Sequence, residues 1–296
     1  MRILIFGKTG QVARELARVQ WPKHYTVEFL GRAECDLVDA QAVASAVLSV
    51  RPRIVINAAA YTAVDRAEAE PEAAERINRD APKAMASACH GLDAALIHLS
   101  TDYVFDGSKA EPYAEQDRVA PLSVYGRTKA EGESAIREVL KQHVILRTSW
   151  VFASHGTNFV RTMLRLAKER NELRIVADQK GGPTAARDIA GAIATIIGYV
   201  MEEKGAWGVF HYTGSEPSTW FDLARAIFDL SGRHPQLVPI AAADYRTAAR
   251  RPMNSVLDCE RIKRDYGIRQ PSWRLALKHV LMELGEMAEP TASLLP

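Results

Sequence analysis

Tyr125 and Lys129 stand four residues apart in Leu122-Ser-Val-Tyr-Gly-Arg-Thr-Lys129, a spacing that sets a phenol and an ammonium on one face of a helix. A free phenol ionises near pH ~10, and an ammonium beside it favours the phenolate, which brings proton transfer closer to neutral pH. Lys129 can also hold a ribose. A second constellation lies near the start of the chain, where Gly7-Lys-Thr-Gly10-Gln-Val-Ala13 follows directly on the apolar run Ile3 to Phe6. Glycines at 7 and 10 permit a tight turn and let a pyrophosphate approach the N–H groups of the next helix, while Ala13 is small enough for that helix to pack on the strand. A P-loop is excluded, because no Gly-Lys-Ser/Thr sequence closes the turn. A dinucleotide site and a proton donor in one chain point to hydride transfer coupled to proton transfer.

Further residues fall at the ends of apolar runs, where an α/β sheet places its ligands. After Phe29-Leu30 come Gly31 and Arg32 in place of the carboxylate that would hold adenosine ribose hydroxyls. This favours NADPH with Arg32 on the 2'-phosphate, although Glu28 or Glu34 would restore NADH binding if the strand ends elsewhere, and Arg32 also reads as a solvated loop charge. Asp36 and Leu37 follow as adenine-side contacts. The third run ends in Asn57-Ala-Ala-Ala60, small residues that let a cofactor pass. The fourth ends in Leu99-Ser-Thr-Asp-Tyr103, where Ser100 or Thr101 can hydrogen-bond a substrate carbonyl or the tyrosine. Asp65 and Glu68 read equally well as helix-capping carboxylates. The histidines stand singly, and His98 is most simply a core or edge residue.

The elements that must position these groups alternate. Short apolar runs at Ile3 to Phe6, Val27 to Leu30, Ile54 to Ile56, Ala95 to Leu99 and Val144 to Leu146 are separated by helical periodicity at Gln11 to Val19, Val38 to Val50, Pro71 to Cys89 and Ser123 to Leu140. Such alternation predicts parallel strands with right-handed crossovers, a doubly wound Rossmann-like α/β sheet over residues 1–150. Residues 151–296 are expected to form a smaller α/β substrate lobe on the sheet's carboxyl edge, with the chain free to cross back to the sheet. Its helical stretches are Asn158 to Arg170, Thr184 to Met201 and Trp220 to Leu230, and its candidate strands Leu173 to Val176 and Val209 to Tyr212. The tail after Glu286, with Pro290 and Pro296, reads as loosely held.

Composition narrows the partners. In 296 residues, 38 Lys and Arg nearly balance 36 Asp and Glu, so the formal charge of +2 gives no reason to expect nucleic acid or an acidic membrane. No apolar run approaches the ~20 residues of a membrane span, and nothing reads as a signal peptide, so a cytoplasmic protein is expected. Cys35, Cys89 and Cys259 are few, odd in number and far apart, which fits reduced thiols rather than a disulfide framework or a zinc site.

On these residues the chain resembles the extended short-chain dehydrogenase/reductases, and within them a branch that reduces dTDP-linked keto sugars. The segments that carry the likeness span the chain: Phe6 to Val12, Asn57 to Glu68, Ser100 to Gly107, Val124 to Lys129, Arg147 to Val151, Asp178 to Thr184 and Arg251 to Ser255. The resemblance implies reduction of the 4-keto group of dTDP-4-dehydro-6-deoxy-L-mannose to dTDP-L-rhamnose, a precursor of cell-surface polysaccharide. It makes Tyr125 the general acid, Lys129 its partner, and Thr101 and Asp102 holders of the sugar beside Tyr103 and Trp150. Gly7, Gly10, Gln11, Val12, Asp36, Leu37, Ala60, Tyr61, Thr62 and Leu99 would line the cofactor. Arg251 and Asn254, near Arg246 and Arg250, are the candidates for the nucleotide diphosphate, since a guanidinium grips phosphate with two parallel hydrogen bonds. No metal-ligand spacing is present; a requirement for Mg2+, use of NADH and a homodimer all stay open.

Two rival readings remain. An epimerase or dehydratase of the same superfamily would keep NAD bound and regenerate it, but a dehydratase places Asp-Glu after the threonine, whereas Asp102 is followed here by Tyr103. One carboxylate suits simple reduction. The other rival is a non-catalytic NADP-binding regulatory subunit, resembling the one associated with methionine adenosyltransferase. Retention of Thr101, Tyr125 and Lys129 together argues against it.

Overall fold

A computed structural model describes residues 1–288. In chain order the first part comprises β1 (Arg2–Phe6), α1 (Gln11–Arg18), β2 (Thr26–Leu30), α2 (Ala40–Val50), β3 (Ile54–Asn57), α3 (Val64–Ala67), α4 (Pro71–Glu75), a π-helical turn (Arg76–Asp80), α5 (Ala81–Leu92), β4 (Ala95–Thr101), a 3-10 turn (Asp102–Val104), α6 (Val124–Val139) and β5 (His143–Thr148). There follow β6 (Val151–Phe152), α7 (Phe159–Glu169), β7 (Glu172–Val176), β8 (Lys180–Gly181), β9 (Thr184–Ala185), α8 (Ala186–Met201), β10 (Gly208–His211), β11 (Ser218–Thr219), α9 (Trp220–Ser231), β12 (Gln236–Ile240), a 3-10 turn (Ala242–Asp244), α10 (Glu260–Tyr266) and α11 (Trp273–Leu284).

Six of these strands form one sheet in the order β10-β5-β4-β3-β1-β2, every pair parallel. Alternate side chains of each strand therefore feed opposite layers. Ile3 and Ile5 pack with Leu16, Ile189, Ile193 and Ile262 of α1, α8 and α10, whereas Leu4 and Phe6 pack with Val43, Val47, Met85 and Ile136 of α2, α5 and α6. Burial on both faces explains why these strands read as unbroken apolar runs. The sheet is doubly wound as its sequence predicts, with β10 supplied by the second half of the chain and α8 lying on the sheet beside α1. Strand order reverses between β1 and β3, which opens a crevice at their carboxyl ends.

A second apolar core gathers α7, α9 and α11 around Phe152, Val160, Ile175, Leu223, Ile227, Trp273 and Leu277. Next to it β7 pairs with β12 in parallel, Pro239 facing Ile175. β12, α10 and α11 are not among the elements read from the sequence. Of the tail, Glu286 is held by Lys168 and Arg233, and Ala288 N–H donates to Leu230 O. Pro290 and Pro296 lie outside the described residues. Among the described residues, no helix is long and apolar enough to cross a membrane.

Two contacts fix the helix that carries Tyr125 and Lys129. A methyl group added at Gly126 would stand 2.2 Å from the Tyr103 carbonyl oxygen, and one at Gly132 would stand 2.0 Å from that of Asn78. Only glycine lets α6 lie this close to both turns. Ser123 caps the helix by accepting from Gly126 N–H at 3.2 Å.

Candidate active site

The crevice at the switch point is a cleft of about 780 Å³. Gly7 has φ +111°, and a methyl there would meet the Ala58 carbonyl at 3.1 Å, so the turn needs glycine on two counts. Gly10 precedes α1 in extended conformation, and no side chain caps the helix. Its first N–H groups thus face the cleft without a protein side-chain acceptor, which suits a pyrophosphate. Gln11, Val12, Ala60, Tyr61, Thr62, Leu37 and Leu99 line the same wall.

Tyr61 is fixed by groups that sequence reading missed. Asn78, fully buried in the π-helical turn, accepts from Tyr61 N–H at 2.9 Å and donates to the Tyr61 carbonyl at 3.2 Å and to Thr128 Oγ1 at 3.1 Å. The Tyr61 hydroxyl donates to Glu70 at 2.7 Å. A π turn inserts one residue into an otherwise helical stretch and so re-aims its side chains, a change that the periodicity of 71–89 does not announce. At the far end of the cleft Arg32 Nε donates to Asp36 at 3.2 Å, with the arginine side chain 83% exposed.

Lys129 is almost fully buried. Its Nζ donates to the Leu99 carbonyl at 2.7 Å and lies 3.0 Å from His98 Nε2, while His98 Nδ1 lies 3.0 Å from the Asn57 amide. Burial lowers the Lys129 pKa to about 8, against the pull of the Glu133 charge. Burial, then the Lys129 charge, hold His98 well below the usual imidazole range. His98 is thus a neutral core residue that meets the amine, a contact its isolated position in the sequence did not show.

The Tyr125 phenol behaves differently from the sequence expectation. Burial pushes it up to about 12; the Thr101 hydroxyl pulls the other way, and the Asp102 charge adds to the rise. Lys129 is turned to Leu99 and His98 and does not draw the phenol down. Tyr125 therefore stays protonated at neutral pH, the state a proton donor needs at rest.

The choice between Ser100 and Thr101 is decided by their partners. Ser100 Oγ donates to Glu133 at 2.5 Å, whereas Thr101 Oγ1 faces Tyr125, donates to Asp102 at 3.0 Å and accepts from Tyr103 N–H at 3.1 Å. Glu133 in turn binds Arg147 in a fully buried pair, at 2.9 and 2.6 Å. Asp102 is 2% exposed, and burial raises its pKa to about 7.

Trp150 lines the cleft with φ +47°, its indole stacked on Trp220 at 3.6 Å and lying over Gly181, where a methyl would stand 2.4 Å from the ring. Trp220, also missed from sequence because it reads simply as the start of a helical stretch, borders a second cavity of about 1390 Å³ as well. Arg170, Arg174, Arg246, Arg250 and Arg251 line that second cavity against Asp106, Glu172 and Asp244. The Arg251 guanidinium makes a two-pronged pair with Asp65, at 2.6 and 3.2 Å, and faces Tyr103. Asp65 is therefore engaged with Arg251, whereas Glu68 accepts from Val124 N–H at 2.8 Å, the first amide of α6, rather than capping α3.

Asn254 is the candidate that the structure does not bring to either cavity. Its amide donates to the carbonyls of Lys109, Ala110 and Glu111, at 2.8, 3.2 and 3.2 Å, so it clasps a loop instead of facing a ligand. Among the described residues, no group of three His, Cys, Asp or Glu side chains is placed to hold a metal ion.

A parallel sheet that reverses order over a glycine turn, with Thr101, Tyr125 and Lys129 at the same edge, defines a protein of the short-chain dehydrogenase/reductase class. The sequence matches the family described as RmlD substrate binding domain over residues 1–286, and the chain belongs to that family. It is 45% identical over 290 residues to a dTDP-4-dehydrorhamnose reductase of Sinorhizobium fredii, covering 96% of this chain and 98% of that one. Its fold is similar to the crystal structure of a dTDP-4-dehydrorhamnose reductase from Clostridium acetobutylicum, with TM-score 0.91 and 35% identity over 96% of this chain and 100% of that one. A Bacillus anthracis dTDP-4-dehydrorhamnose reductase in complex with NADP gives TM-score 0.89 and 34% identity over 95% and 99% of the two chains.

Proposed function

We propose that the protein is a cytoplasmic NADPH-dependent reductase that converts the 4-keto group of dTDP-4-dehydro-6-deoxy-L-mannose to the 4-hydroxyl of dTDP-L-rhamnose. The observation that carries the reading is the meeting of Thr101, Tyr125 and Lys129 in the wall of the glycine-turn cleft, in a chain whose relatives are dTDP-4-dehydrorhamnose reductases over nearly their whole length.

The nicotinamide, when bound, supplies the hydride. Tyr125 gives its phenolic proton to the 4-oxygen, Thr101 hydrogen-bonds the Tyr125 hydroxyl, and Lys129 holds ribose hydroxyls. Asp102, Tyr103 and Trp150 hold the sugar. The second lobe takes the nucleotide diphosphate, with Arg251 and the other guanidiniums of the larger cavity as its counter-charges; Asn254 supports the loop behind them.

NADPH oxidation followed by absorbance, with identification of the sugar product, tests the reading. Stoichiometric oxidation with dTDP-L-rhamnose formed is the expected result, whereas NADPH binding without oxidation would favour the binding-module alternative. Coenzyme choice is tested separately. Arg32→Ala should weaken NADPH by roughly tenfold, the loss of one charge-assisted contact, and leave NADH nearly unchanged in a fluorescence titration. Equal losses for both coenzymes would remove Arg32 as the phosphate contact.

A further inference from the structure

Asp102 is 2% exposed, beside Thr101 at the end of β4. Its Oδ2 has no hydrogen-bond partner, and the cations nearby are engaged elsewhere: Arg251 with Asp65, Lys129 with Leu99 and His98. The other polar groups that face it are the Tyr103 and Tyr125 phenols, the Ser255 hydroxyl and the backbone N–H groups of Asp102 and Tyr103, all of which leave burial as the dominant influence.

The link that matters is Thr101. A hydroxyl has one proton to give and two lone pairs to fill, and the Tyr103 N–H fills one of them. The remaining proton and lone pair lie between Asp102 and Tyr125, which allows two arrangements. With Asp102 protonated, the carboxyl donates to Thr101, Thr101 donates to Tyr125, and the Tyr125 proton is left to face a ligand. With Asp102 ionised, Thr101 donates to the carboxylate, and the Tyr125 proton turns to Thr101, away from the ligand.

We infer that Asp102 sets the direction of this hydrogen-bond chain, and that reduction proceeds from the arrangement in which Asp102 carries a proton. The inference deepens the proposed function and rests on its reading of Tyr125 as the proton donor. Asp102 acts here as a positioning residue; the only proton that reaches the substrate is that of Tyr125.

Burial holds Asp102 at about 7, so both arrangements are populated near neutrality, whereas Tyr125, at about 12, does not titrate there. The sign follows directly: kcat for reduction should be greatest below the Asp102 pKa and fall by about tenfold per pH unit above it, as expected for loss of one proton. Lys129, at about 8, contributes a separate fall at higher pH.

The test is the pH profile of kcat for NADPH oxidation with dTDP-4-dehydro-6-deoxy-L-mannose. In Asp102→Asn the amide donates to Thr101 at every pH, so the limb near 7 should vanish and the decline begin only where Lys129 discharges, whatever the height of the plateau. Thr101→Ser should keep the limb near 7 and Thr101→Val should lose it, which supplies the answer should Asp102→Asn fail to fold. A limb near 7 unmoved in Asp102→Asn or in Thr101→Val overturns the inference while leaving the reductase reading intact. No NADPH oxidation by the unaltered chain at any pH overturns that reading, and this inference with it.

Discussion

Tyr125→Phe is expected to lower kcat by about 10²–10⁴-fold, the usual worth of a positioned general acid, while NADPH binds as before. The ring remains, so the packing of α6 on the turn at Tyr103 and the edge contact between the two aromatic rings are kept. What disappears is the one hydroxyl at the cleft that joins Thr101 and stays protonated at neutral pH. Stopped-flow measurement of NADPH oxidation, with a separate binding titration, checks both halves. An unchanged rate would take the proton-donor role away from Tyr125; a loss confined to NADPH affinity would make it a cofactor contact only.

Arg147→Met should have the largest effect on stability, about 3–5 kcal/mol, because it removes one partner of a buried ion pair and leaves the other charge without water or cation. Arg147 and Glu133 are each 1% exposed, and three hydrogen bonds converge on the Glu133 carboxylate from Arg147 and Ser100. Urea unfolding should show the loss as a lower midpoint with the same slope. Pairing Arg147→Met with Glu133→Leu should recover most of it, since replacing both charges with apolar groups often costs little. A single-variant loss below about 1 kcal/mol would mean that water reaches the carboxylate.

The sheet and its helices were legible because strands buried on both faces leave continuous apolar runs, and β1 to β5 with α1, α2 and α6 carry that mark. β12 was not, because Pro239 breaks the pattern of a strand; the structure tolerates it at an edge, where the missing N–H removes no bond from an inner ladder. The glycine turn, Thr101, Tyr125 and Lys129 could be read from type and spacing. The groups that hold them could not. Asn78 acts through a π turn, His98 through contact across β4 and α6, and Trp220 through stacking from the start of α9. Each depends on three-dimensional neighbours rather than on chain position. Asn254 shows the opposite error: its place beside Arg251 in sequence suggested a ligand contact, yet its amide faces three carbonyls of a distant loop.

Trp220, stacked on Trp150, borders both cavities. A ligand that moves the Trp220 indole in one cavity therefore moves the wall of the other. Thermodynamic reciprocity then requires that whatever factor a ligand in one cavity imposes on affinity in the other, the second ligand imposes on the first in equal measure.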